Sequence, residues 1–248
     1  SFYHPIQKLF YLFSKREIPF VTDPKSHIHN IFKESLSRKP VTYKVFKRLK
    51  SSLLSFLIVR HPFERLVSAF ESKLIRIANN HDREFFYKYV IDIITHYRKN
   101  DTNAITNNRY QNVSTLPVTN NTTFDEPTFE EFVDYLLNRS VDKYDEHWRP
   151  ISNLCHICSY DFDFVIKYEN FQREFESLIQ FFKEFGRLPE EFKIGWINKA
   201  KNSFKYKVQY KDKIKKYYST LPKDKIQSLY NIYKSDFLYF DYDKEQYM

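Results

Sequence analysis

Glycine is almost missing from this chain, with two residues in 248. Phosphate-cradling loops of the G-x-G-x-x-G and G-x-x-x-x-G-K-[ST] kinds need several glycines, for tight turns and for close backbone approach to the anion. Both are therefore excluded within these residues. Cysteine is as scarce, with Cys155 and Cys158 alone. Two thiols and the neighbouring His156 do not complete a tetrahedral zinc site, and no metal is expected. A redox pair of the thioredoxin kind should open a helix after a buried strand, which this one does not. A local disulfide in an oxidising compartment is the leading reading. No run approaches the roughly 18 consecutive apolar residues of a membrane helix, and no signal peptide opens the sequence.

What is abundant is aromatic: 25 Phe and 20 Tyr, within an apolar fraction of 42%, far above what a disordered chain carries. No linker interrupts the pattern, so one domain over residues 1–248 is expected. Lys and Arg number 40 against 31 Asp and Glu, a net charge of +9. That excess favours an anionic partner: nucleic acid, anionic lipid, or a sulfated or carboxylated polysaccharide. Much of it lies in Lys201–Lys216, which reads as a solvated helix face. N-x-[ST] sequons at Asn100, Asn112, Asn120, Asn121 and Asn138 cluster around a stretch, 97–126, that lacks periodicity. We read that stretch as a surface loop, glycosylated in a lumenal or secreted protein. Ser1 runs almost at once into a helical pattern with Ile6, Leu9, Phe10 and Phe13 on one face, so sequence upstream is expected.

Ser51–Arg60 is a short apolar run ending in a charge, with Pro62 placed for a first helical turn: a buried strand feeding a helix. In that helix Leu66, Val67, Phe70, Leu74 and Ile77 form the inward stripe, and Arg65, Ser68 and Ser72 share the opposite face. Ile18–Thr22 and Phe164–Tyr168 are further strand candidates. Helices are predicted at Thr128–Leu137, opened by a Thr128/Glu131 capping box, at Phe171–Phe185, stopped by Gly186, and at about Lys223–Tyr233. Strands separated by helices imply an α/β fold, with a largely parallel central sheet flanked by helices and ligands at the carboxyl ends of its strands.

The segment richest in chemistry is Arg60-His61-Pro62-Phe63-Glu64-Arg65-Leu66-Val67-Ser68-Ala69-Phe70. A guanidinium at a strand end, a proline-led helix start, and Arg plus Ser on one helical face together suit a phosphate group. An ordinary helix start with surface ion pairs is the other reading. This segment resembles the 3′-phosphate-binding motif R-x-P-F-x-R-L-x-S-A-F of the Golgi carbohydrate sulfotransferases, in the branch that includes chondroitin and dermatan 4-O-sulfotransferases, and matches every fixed position. Asp145–Pro150, Leu154–Cys158 and Tyr160–Glu169 are similar to the family's H-W-x-P, C-x-x-C and Y-D-F-x-x-K-x-E run. Leu229–Phe237 is similar to its closing L-Y-x-I-Y-x-x-D-F pattern.

The resemblance implies a P-loop nucleotide-kinase-like sheet and sulfuryl transfer from 3′-phosphoadenosine 5′-phosphosulfate (PAPS), without metal, to a hydroxyl of an anionic glycan. Chondroitin or dermatan N-acetylgalactosamine is the favoured acceptor, and no nucleic acid is implied. Arg60 and Ser68 would grip the 3′-phosphate, with Arg65 in support. Ser1 and Phe2 fit the last two positions of the family's 5′-phosphosulfate loop, P-K-x-G-C-[ST]-[NS]-[WF], placing Ser1 beside the cofactor. The full-length protein would sit in the Golgi lumen as a type II membrane protein, anchored by an upstream helix. A sugar hydroxyl needs a base with a pKa near neutrality, and histidine suits that task. His29, then His27, follow a strand candidate in an H-x-H segment like that of related sulfotransferases. His147 is the rival base; with Trp148 and Arg149 it could instead line an acceptor groove or cap a helix. His61 reads as a loop residue. A non-catalytic, degenerate relative that keeps only glycan affinity is the alternative from another class.

Overall fold

The computed structural model describes residues 47, 55–75, 85–98, 126–155, 157–186, 189–191 and 204–247. In chain order its main elements begin with strand β1 (Phe56–Val59) and helix α1 (Pro62–Ala69), which continues as a π-helical stretch over Phe70–Ile75. A second π-helical stretch, Phe86–Ile91, runs into α2 (Asp92–Tyr97), followed by α3 (Phe129–Leu137) and the short α4 (Ile151–Leu154). Strand β2 (Phe164–Lys167), α5 (Phe171–Glu184), α6 (Phe204–Ser219) and α7 (Lys223–Tyr239) complete the order. Two compact units result, each built from two separated stretches of chain.

The first unit takes Ser1–Ile58 and Ile157–Val208. Its described part is a two-stranded parallel sheet, β1 beside β2, with α5. Helix α5 has apolar residues at i, i+4, i+7, i+8 and i+11, and Phe171, Phe175, Leu178, Ile179 and Phe182 are buried with Ile166 of β2. Phe56 and Phe175 meet edge to face at 6.2 Å. Asp163 Oδ2 accepts from both the Ser55 amide and the Ser55 hydroxyl at 2.7 Å, which pins the two strand starts together. Gly186, at φ +62°, ends α5 as expected, its N–H donating to the Lys183 carbonyl.

The second unit takes Val59–His156 and Gln209–Met248. Its core gathers Leu66, Val67, Phe70 and Leu74 of the expected stripe, Ile77 lying outside the described residues, with α2, α3, α6 and α7, and Trp148, Tyr144 and Tyr233 are almost wholly enclosed. The capping box of α3 forms: Glu131 N–H donates to Thr128 Oγ1 at 3.2 Å, and Thr128 N–H to Glu131 Oε2 at 2.8 Å. On α1, Leu66, Val67, Phe70 and Leu74 are buried, Arg65 and Ser68 half-buried, and Ser72 exposed. Ser72 Oγ donates to the Ser68 carbonyl at 2.7 Å where the helix widens into its π stretch; such a back-bond competes with the helical ladder. On α6, Ile214 and Tyr218 are buried while Lys211, Lys213, Lys215 and Lys216 are exposed, so this part of the basic run is a solvated face.

Some expectations change. Only two strands occur among the described residues, and the Ile18–Thr22 candidate lies outside them, as does nearly all of 97–126. Helix α7 runs past the expected end at about Tyr233 to Tyr239, its buried face continuing from Tyr233 through the buried Asp236 to Phe237. Cys155 and Cys158 are not joined in the expected disulfide, and burial pushes the Cys155 thiol up. Asn138 is exposed; the other sequons lie outside the described residues. No helix among the described residues is long and apolar enough to cross a membrane.

Candidate active site

The geometry around Arg60 follows from its neighbours. Val59 is buried, so the chain leaves β1 anchored, and Pro62 opens α1 where a missing N–H costs nothing. His61 caps that helix: its Nδ1 accepts from Phe63 N–H at 3.2 Å, and its Nε2 donates to the Asp243 carbonyl at 3.0 Å. Both ring nitrogens are thereby used. Phe237, Tyr242 and Tyr247 stand edge to face around the ring at 5.1–5.3 Å, which makes His61 a structural histidine. Behind it Glu64, also buried, accepts from the Tyr247 hydroxyl at 2.9 Å.

Arg60 reaches the hydroxyl of Tyr210 on α6. Arg60 Nη2 donates to Tyr210 Oη at 2.6 Å, with the guanidinium carbon 5.3 Å from the ring centroid. Ser68 lies near the same phenol and favours its ionised form, against the larger effect of burial. Tyr210 Oη in turn donates to the Glu64 carbonyl at 3.4 Å. Burial raises the Tyr210 pKa, outweighing the opposing pull of Arg60, so the hydroxyl keeps its proton. One cation and one phenol therefore meet just before α1 begins.

Arg65 has a different occupation. Its Nη1 donates to the Arg149 carbonyl and its Nη2 to the Glu146 carbonyl, both at 2.6 Å, tying α1 to the turn that carries His147. Burial lowers its pKa while Tyr233 and Asp236 push it back up. The rest of that turn is structural. Trp148 lies in the core against Tyr89, Phe132 and Phe85, not in a groove. Arg149 donates to the carbonyls of Asp142 and Tyr144. Asp236 accepts from the amides of Ile151 at 2.7 Å and Ser152 at 2.8 Å, closing the start of α4.

His147 alone in this turn points chemistry outward. Its Nδ1 lies 2.5 Å from Asp145 Oδ1, its amide donates to the same oxygen at 3.0 Å, and its side chain is 34% exposed. Tyr89 Oη donates to Asp145 Oδ2 at 3.1 Å. Burial by itself would raise the Asp145 pKa; the hydrogen bonds and charge of His147, with Tyr89, outweigh it and hold the carboxyl at about 2. An anionic Asp145 beside Nδ1 fixes the proton there, which leaves the Nε2 lone pair as the basic one. No described hydrogen bond engages Nε2. Sequence reasoning found His147 but not its partners Asp145 and Tyr89. The adjacency Asp145-Glu146-His147 carried a signal for the first; nothing local carried one for Tyr89 or Tyr210. His27, His29 and Ser1 lie outside the described residues.

Residues 6–243 match the pattern of the sulfotransferase family. The chain belongs to that family. Among curated proteins this sulfotransferase-family chain is 28% identical to carbohydrate sulfotransferase 12 of Mus musculus over 240 residues, covering 90% of the chain and 49% of the relative. It is 30% identical to carbohydrate sulfotransferase 11 of Mus musculus over 204 residues, 81% of the chain and 50% of the relative. Carbohydrate sulfotransferase 14 of Homo sapiens is 28% identical over 150 residues, 60% of the chain and 33% of the relative. The chain thus spans about half the length of the curated relatives it matches first. No solved structure matches it.

Proposed function

We propose that this chain carries the nucleotide-binding and catalytic core of a carbohydrate O-sulfotransferase, moving the sulfuryl group of PAPS to a hydroxyl of an anionic glycan. The main support is Arg60, beside the Tyr210 hydroxyl at the head of a segment that matches every fixed position of a 3′-phosphate motif. A guanidinium and a hydroxyl supply the charge-assisted hydrogen bonds a phosphate dianion takes, so the residues present fit that end of the donor. Ser1 remains the candidate for the other end.

Bound PAPS supplies an activated sulfur: its bond to the bridging oxygen of the 5′-phosphate breaks as the acceptor oxygen bonds to sulfur, and 3′-phosphoadenosine 5′-phosphate departs. This chain's part is to hold the nucleotide and to take the acceptor's proton. Nε2 of His147 is the preferred base, because Asp145 fixes its tautomer; His27 and His29 are the other candidates. Arg65 holds the His147 turn against α1 and so keeps base and anion grip in register.

The same reading carries a kinase-like parallel sheet to which β1 and β2 contribute, a chondroitin- or dermatan-type N-acetylgalactosamine acceptor, and a Golgi location with a type II anchor. The sulfotransferase-family match supports the sheet, the relatives named carbohydrate sulfotransferases and the +9 charge support an anionic glycan acceptor, and the sequon cluster supports a lumenal location.

Calorimetric titration of the full-length protein with 3′-phosphoadenosine 5′-phosphate, beside Arg60→Ala and Ser68→Ala, tests it. Micromolar binding by the wild type, weakened at least tenfold in each variant, is the expected result. Binding of glycan without any nucleotide affinity would instead make the protein a non-catalytic relative. Transfer of labelled sulfate to desulfated chondroitin and dermatan, against unrelated glycans, then fixes the acceptor.

A further inference from the structure

We propose that Tyr210 is a third ligand of the 3′-phosphate, its hydroxyl donating to the anion that Arg60 and Ser68 hold. This rests on the 3′-phosphate reading above. The inference starts from geometry: the phenol oxygen lies 2.6 Å from Arg60 Nη2 and so sits where that phosphate-directed guanidinium already points. An anion that reaches this nitrogen comes close to Oη as well.

The direction of the tyrosine proton supports a donor role. It goes to the Glu64 carbonyl across 3.4 Å, beyond the range of a strong hydrogen bond, and turning it onto a phosphate oxygen exchanges a long neutral bond for a short charge-assisted one. The ring adds order as well. Stacked 5.3 Å from the guanidinium carbon, it holds Arg60 in the orientation a phosphate needs, so less rotamer freedom is lost when the anion arrives. Behind the ring, Ile214 and Tyr218 anchor α6 in the core, and the Tyr218 hydroxyl donates to the Phe63 carbonyl at 3.0 Å, which fixes the helix against the start of α1.

Tyr210→Phe in the full-length protein removes the hydroxyl and keeps the ring. Its affinities for 3′-phosphoadenosine 5′-phosphate and for adenosine 5′-monophosphate, which lacks the 3′-phosphate, are compared with wild type. The expected result is about a tenfold weakening for the first, the size of one hydrogen bond to a charged group, and no change for the second. An unaltered thermal midpoint shows that the variant folds. Equal weakening for both nucleotides, unchanged affinity for both, or tighter binding of the 3′-phosphorylated one would each overturn the proposal. The last outcome would make Tyr210 a competitor of the anion. A wild type with no preference between the nucleotides would bring down the 3′-phosphate reading itself, and Tyr210 with it. Should Tyr210→Phe melt early, Ser68→Ala paired with the double variant separates the roles: a shared ligand predicts losses that fail to add.

Discussion

Asp145 and His147 show how two residues apart in sequence become a chemical unit. The turn brings the carboxylate onto both the imidazole and the amide of His147, and Tyr89 takes the carboxylate's other oxygen. If His147 is the base, His147→Ala lowers kcat by about 10²–10⁴-fold. Nucleotide affinity stays within twofold, because the nucleotide is held elsewhere; single-turnover kinetics beside calorimetry check both. Asp145 makes a separate, pH-readable prediction. A carboxyl at about 2 in the folded protein, against about 3.9 in an unfolded chain, favours folding in full above pH 4, and that contribution is lost as pH falls through about 2. Partial exposure keeps it modest. Wild type is therefore expected to exceed Asp145→Asn in stability at pH 4–5, with the margin closing toward pH 2 in denaturant titrations across that range.

At the scale of elements, sequence pattern went far where structure is local and fell short where it is not. The capping box of α3, the stripe of α5 and its glycine stop, and the strand-to-helix step at Arg60 were all legible, because each depends on residues within one or two turns. The end of α7 was not, since Asp236 looks like a break in an apolar stripe until its partners across the fold are known. Those partners are the amides that open α4. Asp236→Ala leaves both unsatisfied in a buried setting and is expected to cost about 3 kcal/mol, read as a lower denaturation midpoint at unchanged slope. Asp236→Asn, which keeps an acceptor oxygen, recovers part of that loss. The π-helical widening beyond Ala69 was equally hidden: Ser72 reads as an ordinary polar helix position until its hydroxyl is seen on the Ser68 carbonyl.

For the whole molecule, the division of the chain could not be read from composition. Phe and Tyr are plentiful along its whole length, and nothing in their periodicity says that Phe56 belongs with Phe175 while Phe63 belongs with Tyr218 and Phe237. The candidate site was legible in its Arg60–Phe70 segment and in His147. Tyr210 was not, because its meaning depends on a helix more than a hundred residues away folding over α1, inside a run that reads as plain basic surface. The contacts of His61 carry this dependence to the far end of the sequence. Asp243 accepts from its ring, Tyr242 and Tyr247 enclose it, and Tyr247 reaches the neighbouring Glu64. In genetic terms, a nonsense codon at Tyr242 would touch none of the motifs read above, yet it would strip the enclosure of His61 beside the proposed nucleotide site.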